Sequence, residues 1–160
     1  MTVLTATELV RFWSHVVKGP GQRDCWIWVG AIADDAYGRF WTQRAGRERV
    51  LRPHRVAYAL ATGADLSGVP VVEHMVCDNP ICVRAAGDQR DHLSGGTQAD
   101  NLRRMVTRGR AGMGGRRMGR QGRAERAARS RTLRAAVIDG WDAERIEAAL
   151  TTSSGNLALW

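Results

Sequence analysis

The chain has 160 residues and a formal net charge of +8 at pH 7, and its length allows one modest domain with an appendage. No apolar run approaches the roughly 18 residues of a membrane span. The N-terminus also lacks a basic start followed by an apolar stretch. We therefore expect an intracellular, cytoplasmic protein without membrane association.

The positive charge is concentrated in one segment. Residues 103–134 contain twelve arginines and one acid, Glu125, for a net +11, so the rest of the chain sums to −3. A concentrated arginine tract indicates a polyanionic partner, above all nucleic acid. The alternative is a solvated segment from a genome that favours arginine codons, since Lys18 is the only lysine.

The first predicted elements are a helix and a strand. Residues 7–17 have the spacing of a short amphipathic helix, and either Thr5 or Thr7 is suited to cap it. The stretch CWIWVGAI, residues 25–32, alternates in part and is rich in tryptophan, isoleucine and valine. This composition is typical of a strand.

Two further strands and a second helix follow. RFWTQ at 39–43 and ERVLR at 48–52 are predicted strands joined through a short connection. Residues 54–62 have helical spacing. Gly63 comes directly after them and suits a helix C-cap.

A ββα unit is predicted over about 71–108. Residues 71–74 form a short apolar strand, and after a long loop residues 92–94 form the returning strand. Thr97 suits a helix N-cap because an acid follows three residues later. The helix is expected to span 98–108.

The C-terminal part is predicted to contain a linker and two helices. Residues 109–125 are low in complexity and rich in glycine and arginine, which predicts a flexible basic linker. Residues 126–160 regain helical spacing, with a break at Gly140 and a cap at Asp142. This pattern fits a helix-turn-helix, or a helical hairpin that docks on the domain at 1–108 or on a second subunit. The two alternatives stay open.

The three cysteines and one histidine have the composition of a structural zinc site. Cys77 and Cys82 form a C-x4-C pair ten residues before His92, and Cys25 begins the predicted strand. Three thiolates and an imidazole make a closed tetrahedral set. A reducing compartment disfavours disulfides. His15 is the alternative fourth ligand, and plain burial of the cysteines is the alternative to a metal site.

Two residues at the outer ends of this loop are candidates for chemistry. His74 ends a strand directly after Glu73, and Asn101 falls in the first turn of the next helix. A helix packed across the hairpin would bring Asn101 close to His74. An imidazole with a pKa near ~6.5 suits a general base at neutral pH, and an amide oxygen suits Mg²⁺. The alternative is a structural histidine and a surface asparagine.

The combined pattern V-x-H, CDNP-x-C, HL-x-x-GT-x-x-x-N resembles the HNH, or ββα-metal, endonuclease superfamily. The order H, C-x4-C, H, N further resembles its His-Cys box homing endonucleases. The upstream FW, CWIWVGA, YGRF and HRVAYALATG stretches are similar to phage and bacterial HNH proteins, so the likeness covers roughly 12–110. It implies an α+β fold of small antiparallel β-hairpins plus a ββα-metal motif stabilised by zinc, with a C-terminal helical appendage.

The resemblance implies a role for each matching residue. His74 would be the general base and Asn101 a ligand of catalytic Mg²⁺ or Mn²⁺. Glu73 stands where many HNH enzymes carry a metal-binding aspartate. Arg55 matches a recurrent arginine whose contact, phosphate or core, is open, and His54 is expected to be a hydrogen-bonded core residue. The implied ligands of structural Zn²⁺ are Cys25, Cys77, Cys82 and His92.

The expected function is metal-dependent DNA endonuclease activity in a bacterial or phage-infected cell, by nicking or double-strand cleavage. Double-strand cleavage usually needs a homodimer, and the C-terminal helices would supply that contact. The alternatives are a catalytically inactive DNA-binding protein on an HNH scaffold and a zinc-scaffolded interaction module. A β-ribbon suits the major groove and a basic arm the minor groove of double-stranded DNA. The candidate DNA-binding residues are Arg39, Arg44, Arg47, Arg49, Arg52, Arg116, Arg117, Arg120 and Arg123.

Overall fold

The computed structural model describes residues 4–107 and 120–152. Within these ranges the protein has five helices and three two-stranded antiparallel sheets. This confirms the predicted α+β class with small antiparallel hairpins. None of the described helices is long and apolar enough to cross a membrane.

The sheets each pair two strands that follow one another along the chain: β1 with β2, β3 with β4 and β5 with β6. The elements in order are α1 (Ala6–Ser14), β1 (Val16–Lys18), β2 (Trp26–Trp28), β3 (Phe40–Arg44), β4 (Arg47–Leu51), α2 (Pro53–Thr62), β5 (Val71–His74), β6 (Leu93–Gly96), α3 (Gln98–Thr107), α4 (Arg120–Val137) and α5 (Ala143–Thr152).

Helix α1 is capped by Thr5 through a reciprocal pair of hydrogen bonds. The Glu8 N–H donates to the Thr5 hydroxyl at 3.3 Å, and the Thr5 N–H donates to the Glu8 carboxylate at 2.9 Å. The helix ends at Ser14, short of the predicted 17. Residues 16–18 instead pair with β2, because consecutive valines favour a strand over a helix.

Glu8 also ties α1 to the β3–β4 hairpin through an ion pair with Arg44 at 2.8 Å. The hydrogen-bonded Arg44 guanidinium lowers the pKa of Glu8 from 4.5 to about 2. The charged form is thus favoured in the folded state. The stability it contributes is complete above pH 4.5 and is lost as pH falls from 4.5 towards about 2.

Glu8→Gln is expected to lower the free energy of unfolding by about 1 kcal/mol at pH 7, a value reduced for solvent screening of this surface pair. The loss should shrink as pH falls through the window in which wild-type Glu8 takes up its proton. Urea unfolding of both proteins across that pH range measures it. Glu48→Gln is the matched control, since Glu48 is an exposed carboxylate on β4. A Glu8→Gln loss that does not vary with pH would contradict this assignment.

The next three elements, β3, β4 and α2, match the sequence prediction closely. β3 and β4 pair with Phe40 opposite Leu51. Their turn has positive φ at Ala45 (50°) and Gly46 (71°), the signature of a type I′ hairpin. Helix α2 begins with a proline and ends at Gly63, whose φ of 70° confirms the predicted C-cap.

The C-terminal helices pack onto the rest of the protein. Gly140, with φ of 126°, separates α4 from α5, and the Asp142 carboxylate caps α5 by accepting from the Arg145 N–H at 3.0 Å. Leu133 of α4 and Ile146 of α5 belong to the same buried core as the residues of β2. The described residues of α4 and α5 therefore pack against the rest of the protein, and the choice between a helix-turn-helix and a helical hairpin stays open.

Helix α4 begins earlier than predicted. It starts at Arg120, inside the segment 109–125 assigned to the linker, rather than at 126. Arginine, alanine and glutamate are strong helix formers and outweigh the single Gly122 near its start. Residues 108–119, which hold the rest of the predicted linker, lie outside the described residues.

Candidate metal centre and active-site cleft

The structure brings the four predicted zinc ligands into one buried cluster: Cys25, Cys77, Cys82 and His92. Their ligand atoms all lie within 4.8 Å of one another. The His92 Nδ1 lies 3.6 Å from the Cys25 sulfur and 3.5 Å from the Cys82 sulfur. Zinc–sulfur bonds of about 2.3 Å and zinc–nitrogen bonds of about 2.0 Å place tetrahedral ligand atoms about 3.5–3.8 Å apart. The donor set and its spacing therefore fit zinc.

The loop between β5 and β6, which contains Cys77 and Cys82, lies next to Cys25 because it pairs with β2. Ile27 and Cys82 form an antiparallel bridge. The Trp28 N–H donates to the Ile81 carbonyl and the Val83 N–H to the Trp26 carbonyl, both at 2.8 Å. This short pairing joins two segments that are far apart in the sequence. It explains how Cys25 reaches a loop that begins after β5.

The long spacer between Cys82 and His92 is anchored by Arg84. Its side chain is buried, and it donates to the Asp24 carbonyl at 2.8 Å and to the Arg90 carbonyl at 3.0 Å. These hydrogen bonds hold the spacer against the turn before β2. The Cys3His cluster therefore forms despite the length of the spacer. Sequence reasoning missed this residue, whose only signal was an arginine inside an apolar run.

The electrostatics of the cluster favour a bound cation. Burial raises the pKa of Cys82, and hydrogen bonding with the neighbouring Cys77 raises that of Cys25. Hydrogen bonds from the other two thiols lower the pKa of Cys77 instead. Three thiolates are therefore unfavourable together in this buried site unless a cation compensates them, as a divalent metal does. His15 takes no part, since its ring stacks on Trp28 with centroids 5.3 Å apart.

A cleft of about 340 Å³ lies beside the β5–β6 hairpin. All four residues predicted to take part in chemistry, His74, Asn101, Glu73 and Arg55, line it. The other polar residues that line it are Tyr37, Arg52, His54, Asp78, Arg104 and Arg126.

The hairpin and α3 position the two ends of this site. β5 and β6 pair with His74 opposite Leu93, and α3 follows β6 and contacts β5. Thr97 caps α3 as predicted: its hydroxyl accepts from the Asp100 N–H at 3.2 Å and donates to the Asp100 carboxylate at 2.6 Å. This cap fixes the first turn of α3 and so places Asn101 at the cleft.

His74 is held in one tautomer. Its Nε2 lies 3.0 Å from the backbone carbonyl of Cys82. Because a carbonyl only accepts hydrogen bonds, Nε2 carries the proton and the neutral ring has its lone pair on Nδ1. Burial lowers the pKa of His74, so the ring is neutral at pH 7. This is the protonation state that a general base needs.

Two further rings pack beside His74. The His54 ring lies 5.3 Å from the His74 ring and 5.1 Å from the Tyr37 ring, measured between centroids. His54 is buried, as predicted for a core residue, and burial lowers its pKa well below its ordinary value. The expected hydrogen bond is not found, since its buried Nδ1 has no partner among the described residues.

Arg55 and Glu73 both have partners inside the protein. The Arg55 guanidinium donates to the carbonyls of Pro70 and Val69 at 2.9 and 2.8 Å. Its contacts thus hold the segment before β5 rather than leave it free for a phosphate. Glu73 forms a two-point ion pair with Arg104, with both nitrogen–oxygen distances 3.2 Å. Metal binding by Glu73 would require this pair to separate.

Of the predicted DNA-binding arginines whose side chains the structure describes, Arg52 alone lines the cleft. Arg39 pairs with Asp35, four residues before it, and Arg44 pairs with Glu8 of α1, each at 2.8 Å. The remaining positions are exposed or undescribed: Arg47, Arg49 and Arg123 are exposed, only the backbone of Arg120 is described, and Arg116 and Arg117 lie outside the described residues. The described arginines that line the cleft are Arg52, Arg55, Arg104 and Arg126.

Sequence reasoning missed three of the cleft residues. Arg104 follows Asn101 by three residues, so the helical spacing of α3 could have placed both on one face. Tyr37 and Arg126 had no local signal, because tertiary packing alone brings them together.

The structure thus defines an α+β protein with a buried Cys3His cluster and an arginine-lined cleft containing histidine. No family model and no solved structure matches the chain. It is 37% identical over 91 residues to Protein 7.7 and 36% identical over 90 residues to Protein 2.8, both of Escherichia phage T7. These alignments cover 57% and 56% of this chain and 62% and 55% of the relatives. The chain therefore spans little more than half the length of the curated relatives it matches.

Proposed function

We propose that the protein is a metal-dependent DNA endonuclease of the HNH, or ββα-metal, class, which hydrolyses phosphodiester bonds. The observation that carries the proposal is the orientation of His74. Its Nε2 is committed to the Cys82 carbonyl, which leaves Nδ1 as the basic nitrogen in a cleft that Asn101 also lines. A positioned neutral imidazole beside an amide oxygen is the pair that this chemistry requires.

In this proposal each residue has a defined task. Nδ1 of His74 removes a proton from the attacking water. The Asn101 amide oxygen would hold Mg²⁺ or Mn²⁺, which when bound stabilises the charge on the phosphate and on the departing 3′ oxygen. The products are 5′-phosphate and 3′-hydroxyl ends. The proposed zinc ligands are Cys25, Cys77, Cys82 and His92. They hold together the loop that lies between His74 and Asn101 in the sequence.

The proposed substrate is double-stranded DNA in the cytoplasm of a bacterial or phage-infected cell, in keeping with the phage relatives. The arginine-rich segment 103–134 supports a polyanionic partner, and exposed Arg47 and Arg49 on the hairpin are available to the duplex. Binding to such a surface should weaken steeply with salt. A homodimer is proposed for double-strand cleavage.

One observation favours an alternative, a catalytically inactive DNA-binding protein on the same scaffold. Glu73 occupies the position of a metal-binding acid in many HNH enzymes, yet it is paired with Arg104. Incubation of supercoiled plasmid with the protein and Mg²⁺ or Mn²⁺, with EDTA as the control, separates the two. Nicked or linear product with metal supports the enzyme. Salt-sensitive binding without product under all metal conditions supports the alternative.

Asn101→Ala is expected to raise the Mg²⁺ concentration needed for half-maximal cleavage by about tenfold or more, the size of loss seen when metal-site residues are removed. Asn101→Asp, which keeps an oxygen ligand, should retain more activity. Gln98→Ala is the matched control, since Gln98 is exposed in the same turn of α3. A titration of plasmid cleavage against Mg²⁺ measures the effect. An unchanged titration curve for Asn101→Ala would remove it as the metal ligand.

A further inference from the structure

Arg126 reaches the cleft from α4, well beyond the part of the chain that carries the family resemblance. Its guanidinium carbon lies 5.6 Å from the centroid of the Tyr37 ring. The Arg52 guanidinium lies over the same ring at 4.8 Å. Two cations that are far apart in the sequence thus lie on one aromatic ring at the cleft, where each is attracted to the ring quadrupole.

Arg126 differs from the other arginines of the cleft in its pairing. Arg52 forms an ion pair with Asp35 at 2.9 Å, Arg104 pairs with Glu73, and Arg55 is occupied by backbone carbonyls. Within residues 4–107 and 120–152, no carboxylate forms an ion pair with Arg126. Among the described arginines of the cleft, Arg126 is therefore the one whose charge a ligand anion can neutralise without breaking an ion pair or a backbone hydrogen bond.

The position of Arg126 is fixed by the packing of α4. Its neighbour Ala127 is buried. About two turns further on, Arg134 donates to the Gly30 carbonyl at 3.2 Å. These contacts fasten α4 along the segment that leads into Tyr37. The hairpin is thus docked in a way that presents Arg126 to the cleft.

We propose that Arg126 binds the phosphate group that is cleaved, so that the C-terminal hairpin completes the active site. This inference rests on the proposed function for the nature of the substrate. A guanidinium forms two parallel hydrogen bonds with the non-bridging oxygens of a phosphate. Held against Tyr37, it stabilises the negative charge that grows on those oxygens during hydrolysis.

The test compares Arg126→Ala and Arg126→Lys with Arg131→Ala, which removes the same charge from the same helix outside the cleft and breaks only a solvent-exposed pair with Asp34. Two properties are measured on the full-length protein: the rate of plasmid cleavage at saturating Mg²⁺, and the affinity for inorganic phosphate without Mg²⁺, followed by NMR of the histidine rings. Arg126→Ala is expected to slow cleavage by about 100-fold or more and to weaken phosphate binding about tenfold. Arg126→Lys should recover part of both, and Arg131→Ala should change neither by more than about twofold.

The outcomes separate this inference from the proposed function. If the wild-type protein cleaves DNA and Arg126→Ala behaves like Arg131→Ala in both measurements, the inference is overturned and the nuclease stands. If no metal supports cleavage but phosphate binding still depends on Arg126, the nuclease fails and the anion site stands. Should Arg126→Ala unfold, Arg126→Lys and Arg126→Gln decide the matter, because both keep the aliphatic stem. Wild-type behaviour of both would overturn the inference.

Discussion

Plasmid cleavage is expected to fall by about a thousandfold when His74 is replaced by alanine, within the range contributed by a positioned general base. The expected loss of cleavage follows from the fixed tautomer of His74. With Nε2 donating to the Cys82 carbonyl, Nδ1 is the basic nitrogen, which in the proposed reaction takes the proton of the attacking water. Alanine removes that nitrogen but leaves the β5–β6 pairing intact, so the variant should fold, bind zinc and bind DNA as the wild type does. Single-turnover cleavage at saturating Mg²⁺ measures the chemical step.

Two controls make this result specific. His15→Ala removes a histidine outside both sites, and its cleavage rate should match that of the wild type. Added imidazole should restore part of the activity of His74→Ala, because a small base fits where the ring is missing; a merely structural role for His74 would give no such rescue. A His74→Ala variant that cleaves at the wild-type rate would remove His74 as the base. His54, whose ring lies 5.3 Å away, would then be the next residue to test.

The local elements of the site were predictable because their signals are local. β5 ends at His74 as the apolar run predicts, and α3 opens after the Thr97 cap because the capping pattern lies within four residues. The four predicted zinc ligands also lie together in one buried cluster. Cysteine and histidine are few in this chain, and the C-x4-C pair ten residues before His92 places three of the four residues on one loop.

The parts that the sequence did not reveal depend on contacts between remote segments. Arg44 was a candidate for DNA contact, but its charge is paired with Glu8 of α1, 36 residues earlier, and no local pattern shows where that acid folds. Arg126 was assigned only to the helical appendage. The residues around it in the sequence do not indicate that α4 passes close to Tyr37. The α1 boundary was misplaced for the same reason, since pairing with β2 decides it.

Removal of zinc is expected to destabilise the whole protein by several kcal/mol, since metal binding to a buried thiolate set is coupled directly to folding. The cluster lies inside the core: Cys25 and Cys82 are buried together with Ile27 of β2. Residues of the C-terminal hairpin, including Leu133 and Ile146, line the space beside Cys25. Loss of the metal would leave ionisable thiols in an apolar environment and loosen both the β2 pairing and the docked hairpin. Native mass spectrometry should show one zinc per chain.

The matched variants are Cys82→Ser and Val83→Ala. Cys82→Ser removes a ligand, so its thermal melting should become insensitive to a chelator selective for zinc over magnesium. Val83→Ala leaves a cavity at a buried neighbour and should lower Tm yet keep both the zinc and the sensitivity to chelator. A wild-type protein without zinc, and with the same Tm with and without chelator, would contradict the metal site.

Removal of zinc should also reduce DNA cleavage, because Cys82 contributes to both sites. Its thiol belongs to the zinc cluster and its carbonyl accepts the hydrogen bond that orients His74. Zinc loss should therefore release the His74 ring at temperatures where most of the chain is still folded. We expect cleavage activity and bound zinc to be lost together as chelator is added, with Mg²⁺ held constant. Activity that survives complete zinc removal would show that the two sites, although joined through one residue, are independent.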